Sequence, residues 1–307
     1  MTSADYNLYM SRCLQLASYG IDSARPNPMV GAVIVCDGRI IGEGFHLQAG
    51  SPHAEVNAIN SVSHTDEDLL SRSTLFVSLE PCAHYGKTPP CADLIIKKHI
   101  PQVVVGCRDS FAKVNGEGIR KMKEAGIDVI EGVMEKECRY INRYFFTYHR
   151  LQRPYITLKW AQTANDLLDD NGETARLSSP FTQLLVHRLR SENDAIVVGR
   201  VTDEREHPQL NNRFWHGPSP HRYVLSSEMT IDGILSDCKK RNFQSLIVEG
   251  GCKTLQAFID RGMYDCIRRE IAPIVLTEGT KAPMMPNDVQ ITSSEIIDGR
   301  RIEIATR

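Results

Sequence analysis

Ser51-Pro52-His53-Ala54-Glu55 and Glu80-Pro81-Cys82-Ala83-His84-Tyr85-Gly86-Lys87-Thr88-Pro89-Pro90-Cys91 are the pieces of sequence that decide what kind of chain this is. One imidazole, from His53, and two thiolates, from Cys82 and Cys91, make a donor set suited to zinc held by three protein ligands. Three ligands leave a fourth position for water. Glu55, two residues past His53, carries a carboxylate that can move protons on and off that water without binding the metal. A single His or Cys would more simply be a helix cap or a core residue. A closed structural zinc site, with His84 or His46 as fourth ligand, is the stronger competing reading, because structural zinc takes four protein ligands.

Outward from this stretch the chain alternates strands and helices. Met10, Cys13, Leu14 and Ala17 fall at helical spacing, which predicts a helix over residues 4–20. Arg25-Pro26-Asn27-Pro28 cannot continue it and reads as a rigid loop. Residues 30–35 are an apolar strand, Asp37-Gly38 a hairpin turn, and 39–44 the return strand. Pro52 opens a helix whose first turn carries His53 and Glu55. Strand 74–79 leads straight into Pro81-Cys82, and a helix of about two turns starts near Cys91. Strand 103–107, helix 116–125, strand 127–130 and helix 134–146 follow. An α/β/α sandwich supplies such helix starts at one end of a sheet.

Residues 147–154, Thr-Tyr-His-Arg-Leu-Gln-Arg-Pro, read as a polar connector between a first domain, 1–147, and a second, 154–307. The second half alternates again: strand 155–161, helix 180–191, strands 195–199, 222–225 and 245–248, helix 252–261, and two strands near 265–276 and 290–305. Two domains suit a length of 307 residues. Its 41% hydrophobic and 24% charged residues are ordinary for a globular chain, and a net charge of −2 without a basic run argues against nucleic acid or a membrane surface as partner. Nine cysteines, an odd and scattered set, are no disulfide framework. The opening MTSADYNLYM is no signal peptide, and no stretch approaches the roughly 20 apolar residues of a membrane helix. A cytoplasmic chain with reduced thiols is expected.

His-x-Glu followed by Pro-Cys-x-x-Cys is the zinc deaminase signature. Here eight residues, instead of two, separate Cys82 from Cys91. They include His84 and Lys87, and a polar loop of this kind beside the metal reads as pocket lining, with Lys87 either a candidate phosphate contact or a solvated loop lysine. Together with Arg25-Pro-Asn-Pro-Met-Val-Gly-Ala-Val-Ile-Val, Gly44-Phe-His46 and Gly50-Ser-Pro-His-Ala-Glu-Val-Asn-Ala, the motif resembles the bacterial bifunctional riboflavin-biosynthesis deaminase–reductases, whose own form has this long spacing. The resemblance implies a cytidine-deaminase-like α/β/α sandwich followed by a dihydrofolate-reductase-like α/β domain. It implies one Zn²⁺ per chain on His53, Cys82 and Cys91, proton transfer by Glu55, and substrate contacts from Asn27, His46, His84 and Lys87. The substrate would be a small phosphorylated pyrimidine: a diaminopyrimidinone carrying a phosphoribosylamino group. Asp109 to Gly118 resembles a further family segment, with Ser110 and Ala112 in place of prolines.

By itself the second half offers only Val248-Glu249-Gly250-Gly251 before a helix, a turn whose glycines and amides suit a phosphate, although a plain strand-to-helix turn explains the glycines as well. No Gly-x-Gly-x-x-Gly is present. The resemblance extends through Pro154-Tyr-Ile-Thr-Leu-Lys159-Trp-Ala, Ser178-Ser-Pro, Val186-His-Arg-Leu-Arg190, Asp194-Ala-Ile-Val-Val-Gly199 and Lys281-Ala-Pro. It implies NADPH-dependent reduction of the ribosyl group to ribityl. Thr174, Arg190, Leu210, Arg213 and Glu249 would contact substrate, with the two arginines as phosphate clamps. Lys159, Ser178, Thr202 and the segment from Gly250 and Gly251 to Leu255 would contact NADPH. The chain departs from the family pattern at Thr163-Ala-Asn165-Asp166, Arg176 and Glu206-His207-Pro208, and residues 225–245 form a shorter stretch than the family's. A shortened reductase domain is therefore expected, within a homo-oligomer of two or four chains. The alternatives are a deaminase whose second domain serves assembly, and a zinc-stabilised scaffold without catalysis.

Overall fold

The structure, a computed structural model, describes residues 2–85, 89–109 and 116–307. It divides into two compact units, Met1–Leu151 and Gln152–Arg307.

In the first unit, helix α1 (Ser3–Ser18) begins at Thr2, which exchanges hydrogen bonds with Asp5 in a capping box. Strands β1 (Gly31–Cys36) and β2 (Arg39–Phe45) follow. They are joined by Asp37 and Gly38, at φ 50° and 77°, the left-handed pair that a two-residue hairpin turn needs. With β3 (Thr74–Leu79), β4 (Gln102–Cys107) and β5 (Asp128–Glu131) they form a five-stranded sheet in the order β2-β1-β3-β4-β5. β1 is antiparallel to both neighbours, while β3, β4 and β5 run parallel. Every residue of β1 and β3 is buried, so the sheet must be covered on both faces. Helices α2 (Ala54–Asn60), α3 (Cys91–Lys97) and α4 (Glu117–Glu124) cover one face, placing Ala58, Ile59, Ile95 and Met122 against Ile34, Val77 and Val105. α1 and α5 (Glu135–Ile141) cover the other, with Met10, Cys13 and Cys138 around Phe76 and Val104. This is the α/β/α layering expected from the alternation.

The expected helix 134–146 is two helices, α5 and α6 (Arg143–Leu151). The break falls at Asn142, whose side chain leaves the helical pattern to bond both backbone groups of Met29: it accepts from the amide at 2.8 Å and donates to the carbonyl at 2.9 Å. α6 also runs through most of the stretch read as a connector, because Thr147 and its neighbours form a half-buried helix face rather than a free linker.

The second unit is built on β6 (Tyr155–Gln162), α7 (Pro180–Ser191), β7 (Ala195–Gly199), α8 (Arg200–Glu206), β8 (His221–Leu225), α9 (Ile231–Lys240), β9 (Ser245–Glu249), α10 (Cys252–Asp260), β10 (Cys266–Ile271), β11 (Gln290–Ile297) and β12 (Arg300–Thr306). Its seven strands are ordered β11-β12-β10-β6-β9-β7-β8. β10, β6, β9, β7 and β8 are parallel, and the last two strands close the sheet antiparallel. Leu158, Trp160, Val248, Leu255, Phe258 and Ile267 share one core. Two features differ from expectation. The stretch 225–245 carries α9, whose Ile231, Ile234 and Cys238 are buried at helical spacing behind a Thr230 cap. Residues 290–305 are a hairpin rather than one strand, turned by Asp298-Gly299 at φ 48° and 73°, the same chemistry as Asp37-Gly38.

Candidate active site

The parallel strands β3 and β4 end side by side, with Leu79 paired to Cys107. The chemistry-bearing residues of the first unit collect at that end of the sheet. His53 is the N-cap of α2, Cys82 follows β3 by three residues, and Cys91 is the first residue of α3. Their donor atoms all lie within 4.8 Å of one another. Cys82 Sγ and Cys91 Sγ stand 3.6 and 3.3 Å from His53 Nδ1. A tetrahedral zinc with ordinary Zn–S and Zn–N bonds would set these edges at about 3.5 Å, so this donor set fits the metal in type and in spacing. Among the described residues no other His, Cys, Asp or Glu joins the cluster. His46 is spoken for: its Nδ1 faces the Pro52 carbonyl at 3.2 Å and its Nε2 faces the Asn27 amide nitrogen at 3.0 Å. A carbonyl can only accept, so Nδ1 carries the proton and Nε2 accepts from Asn27. Exposed His84 is not part of the cluster either. Among the described residues the cluster thus offers three donors, and neither His46 nor His84 joins it as a fourth.

The electrostatics are those of a largely buried site. Cys82 Sγ accepts the Cys91 backbone N–H at 3.3 Å. The hydrogen bond shared with the Cys91 thiol lowers the Cys82 pKa to about 4, against the opposing effect of burial. The same shared proton, with burial, pushes the Cys91 thiol far up. The two thus titrate as one pair, a thiolate beside a thiol. Glu55 is 3% exposed, and burial, reinforced by the nearby Cys82 charge, pushes its carboxyl up to about 7. A folded-state pKa above the unfolded value of 4.5 stabilises the fold fully below pH 4.5, and that stabilisation is lost as pH rises toward 7. In metal-free protein, Glu55→Gln is therefore expected to remove a decline in urea stability between those limits. Parallel urea curves for wild type and variant would sink this account.

His46 lies against the cluster, its ring standing edge-on to His53 at 5.4 Å between centroids, and Asn27 is joined to it through His46. Burial holds the His46 imidazole below its ordinary pKa. Lys87 lies outside the described residues, as do residues 110–115 of the Asp109–Gly118 segment. Two residues that sequence reasoning passed over support the site. Asn142 clamps the backbone two residues after Asn27. Buried Glu80, in the same Glu-Pro-Cys run, receives backbone amides from the β4–α4 connection. Nothing but their polarity in buried surroundings could have flagged them.

In the second unit, the carboxyl ends of β6, β7 and β9 gather most of the expected contacts. Arg190 clasps Glu249 with two hydrogen bonds, Nε at 2.9 Å and Nη2 at 2.8 Å, and Lys159 Nζ stands 3.8 Å from the same carboxylate. Arg190 is thus held by a protein carboxylate rather than open as a phosphate clamp. Burial opposes the Glu249 charge most, yet Lys159 and Arg190 outweigh it and leave the carboxyl below its usual range. Burial also lowers the Lys159 pKa. A Cβ at Gly250 would meet Thr254 Cβ at 2.9 Å, and one at Gly251 would meet the Thr202 hydroxyl at 3.3 Å. Thr254 and Thr202 thus leave room only for glycine here, and the backbone amides at the start of α10 are of the kind that suits a phosphate-bearing cofactor. Leu255, expected among the cofactor contacts, is fully buried in the core, so its side chain is packing. Leu210 is buried at φ 52°, Ser178 is half-buried, and Thr174 and Arg213 are exposed. The Arg213 amide donates to His187 Nδ1 at 3.2 Å. Arg268 and Glu270 on β10 are buried charges that the sequence reading missed, with the Arg268 Nη1 and Glu270 Oε2 atoms 3.9 Å apart.

Residues 3–107 match the family described as the cytidine and deoxycytidylate deaminase zinc-binding region, and residues 154–233 and 228–302 match the RibD C-terminal domain. The chain is 36% identical over 316 residues to the riboflavin biosynthesis protein RibD of Aquifex aeolicus, covering 88% of each chain. A crystal structure of a diaminohydroxyphosphoribosylaminopyrimidine deaminase/5-amino-6-(5-phosphoribosylamino)uracil reductase from Thermotoga maritima superposes with a TM-score of 0.91, at 32% identity, over 99% of both chains. Acinetobacter baumannii RibD superposes with a TM-score of 0.88 at 26% identity, again over 99% of both. No described helix is long and apolar enough to cross a membrane.

Proposed function

This chain belongs to the bifunctional riboflavin-biosynthesis deaminase–reductase family, and from that premise we propose that it deaminates a phosphorylated diaminopyrimidinone and then reduces the ribosyl side chain. The observation that carries the first step is the cluster of His53, Cys82 and Cys91 beside buried Glu55. Zinc held by those three residues would supply the Lewis acidity that brings the pKa of a water to about 7. Glu55 takes one proton from the attacking water and passes it to the ring nitrogen, then takes the second proton from the new hydroxyl and passes it to the departing amine. Water oxygen replaces nitrogen on the ring carbon, and ammonia leaves. A carboxyl poised near neutrality suits a group that must both accept and donate. In this reading Asn27, hydrogen-bonded to His46, holds the pyrimidine, and His84 and Lys87 contact the same substrate.

For the second step, Lys159, Ser178, Thr202 and the Gly250–Gly251 turn hold NADPH, which supplies the hydride. The ribosyl ring opens to an imine, hydride goes to C1, and a proton goes to the nitrogen. Thr174, Leu210, Arg213 and Glu249 contact the substrate, with Arg190 holding Glu249 in place and Arg213 the arginine left open to its phosphate. Pairing of chains into a homo-oligomer completes the proposal.

The test is a one-vessel assay with the diaminopyrimidinone and NADPH, reading ammonia and NADPH oxidation separately. Ammonia without NADPH oxidation would leave the second unit no reductase role; neither signal would overturn the reading. Cys91→Ala is expected to abolish ammonia release and to lower bound zinc, measured by metal analysis. Activity retained at full zinc occupancy would refute the ligand assignment.

A further inference from the structure

Glu80 stands between the end of β3 and Pro81-Cys82, and is 4% exposed. Its carboxylate accepts four backbone N–H groups. Oε2 takes Asp109 at 3.2 Å and Gly116 at 3.0 Å; Oε1 takes Gly118 at 3.0 Å and Ile119 at 3.4 Å. Asp109 leaves the end of β4, and Gly118 and Ile119 lie in the first turn of α4, whose amides have no partner within the helix. One side chain therefore ties down both described flanks of the β4–α4 connection. The packing is as close as the bonding. A Cβ at Gly118 would meet the Pro81 carbonyl oxygen at 1.9 Å, so the start of α4 rests directly on the backbone next to Cys82. A carboxylate is the one neutral-pH side chain that fits: all four partners are donors, and both of its oxygens are acceptors.

We propose that Glu80 is a positioning residue for the deaminase site, fixing Asp109 and the start of α4 as one wall of the substrate pocket beside Cys82. This rests on the reading of His53, Glu55, Cys82 and Cys91 as that site. Because β3 and β4 are neighbouring parallel strands, the residues that follow them emerge at the same sheet end as the zinc ligands. Glu80 touches neither ligand nor reacting atom, so its effect falls on substrate binding rather than on proton transfer.

The experiment is Glu80→Gln in the full chain, with KM and kcat for ammonia release, zinc content and reductase turnover of the deaminated pyrimidine measured together. Gln must turn an NH₂ group toward one pair of amides. The expected result is a KM raised about tenfold or more, kcat and zinc near wild type, and reductase turnover unchanged as proof of fold. Amide exchange at residues 116, 118 and 119 is expected to quicken in the variant. Glu80→Asp keeps two acceptors on a shorter arm and is expected to fall between wild type and Gln. An unchanged KM with unchanged exchange overturns the proposal. So does loss of zinc and reductase turnover in both variants, which would make Glu80 a determinant of stability alone. If wild type releases no ammonia, the deaminase reading fails, while the exchange measurement still shows whether Glu80 holds the segment.

Discussion

Glu55→Gln is expected to lower ammonia release by about a thousandfold while zinc stays bound. The amide keeps the shape of the carboxyl and makes no demand on the proposed metal ligands, His53, Cys82 and Cys91. It cannot take a proton from water. Glu55 sits in the first turn of a helix whose N-cap is the ligand His53, so its backbone position is fixed with the site. Burial and the Cys82 charge, which hold its pKa near 7 without metal, make it a carboxyl able to change protonation near neutral pH beside the cluster. Steady-state ammonia assays with metal analysis check the result. A variant that keeps most of its turnover would remove Glu55 from the mechanism and revive the scaffold reading. The reductase reaction on pre-deaminated substrate should be unaffected.

Glu249→Ala is the variant expected to damage the second unit most. It strips the partner from Arg190, which is 12% exposed at the side chain, and leaves Lys159, equally buried, beside it. Arg268 adds a third cation to the surroundings of that carboxylate. Removing one member of a buried pair costs about 3–5 kcal/mol, because the remaining charge stays desolvated and uncompensated. NADPH oxidation should collapse, and the urea transition of this unit should shift to lower concentration; ammonia release should persist. The pH dependence follows from the depressed carboxyl of Glu249. Its stabilisation is present above the ordinary carboxylate range and is lost as pH falls through the lower folded-state value. Wild type should therefore lose more stability on acidification than Glu249→Ala. Equal unfolding curves for the two proteins would show that the pair contributes nothing.

The first unit was legible where local chemistry and tertiary demand coincide. Asp37-Gly38 announces its turn, strands 74–79 and 103–107 are apolar because both faces are covered, and the candidate zinc ligands stand out by residue type. Asn142 was hidden because its partner, Met29, is 113 residues away, and nothing local marks a helix break there. The Asp298-Gly299 turn was present in the sequence and was overrun by a long polar-and-apolar stretch that read as one strand. Glu249 and Arg190 could be named from the resemblance, yet not their mutual clasp, which depends on β9 and α7 meeting in space. Buried Arg268 and Glu270 lie in a strand whose alternation suggests an exposed face; only the fold reveals that α7 covers it through Thr182, whose hydroxyl donates to Glu270 at 2.7 Å.

The hydrogen bonds that join Cys82 to the start of α3 bear on how the metal is acquired. The Cys91 amide reaches Cys82 Sγ at 3.3 Å and the Ala92 amide reaches the Cys82 carbonyl at 3.2 Å, so the loop between the cysteines is already closed at its ends by the backbone. A metal arriving here does not have to meet the entropy of closing that ring. The cofactor is thus expected to behave as an exchangeable tenant, stripped by a chelator and returned without refolding.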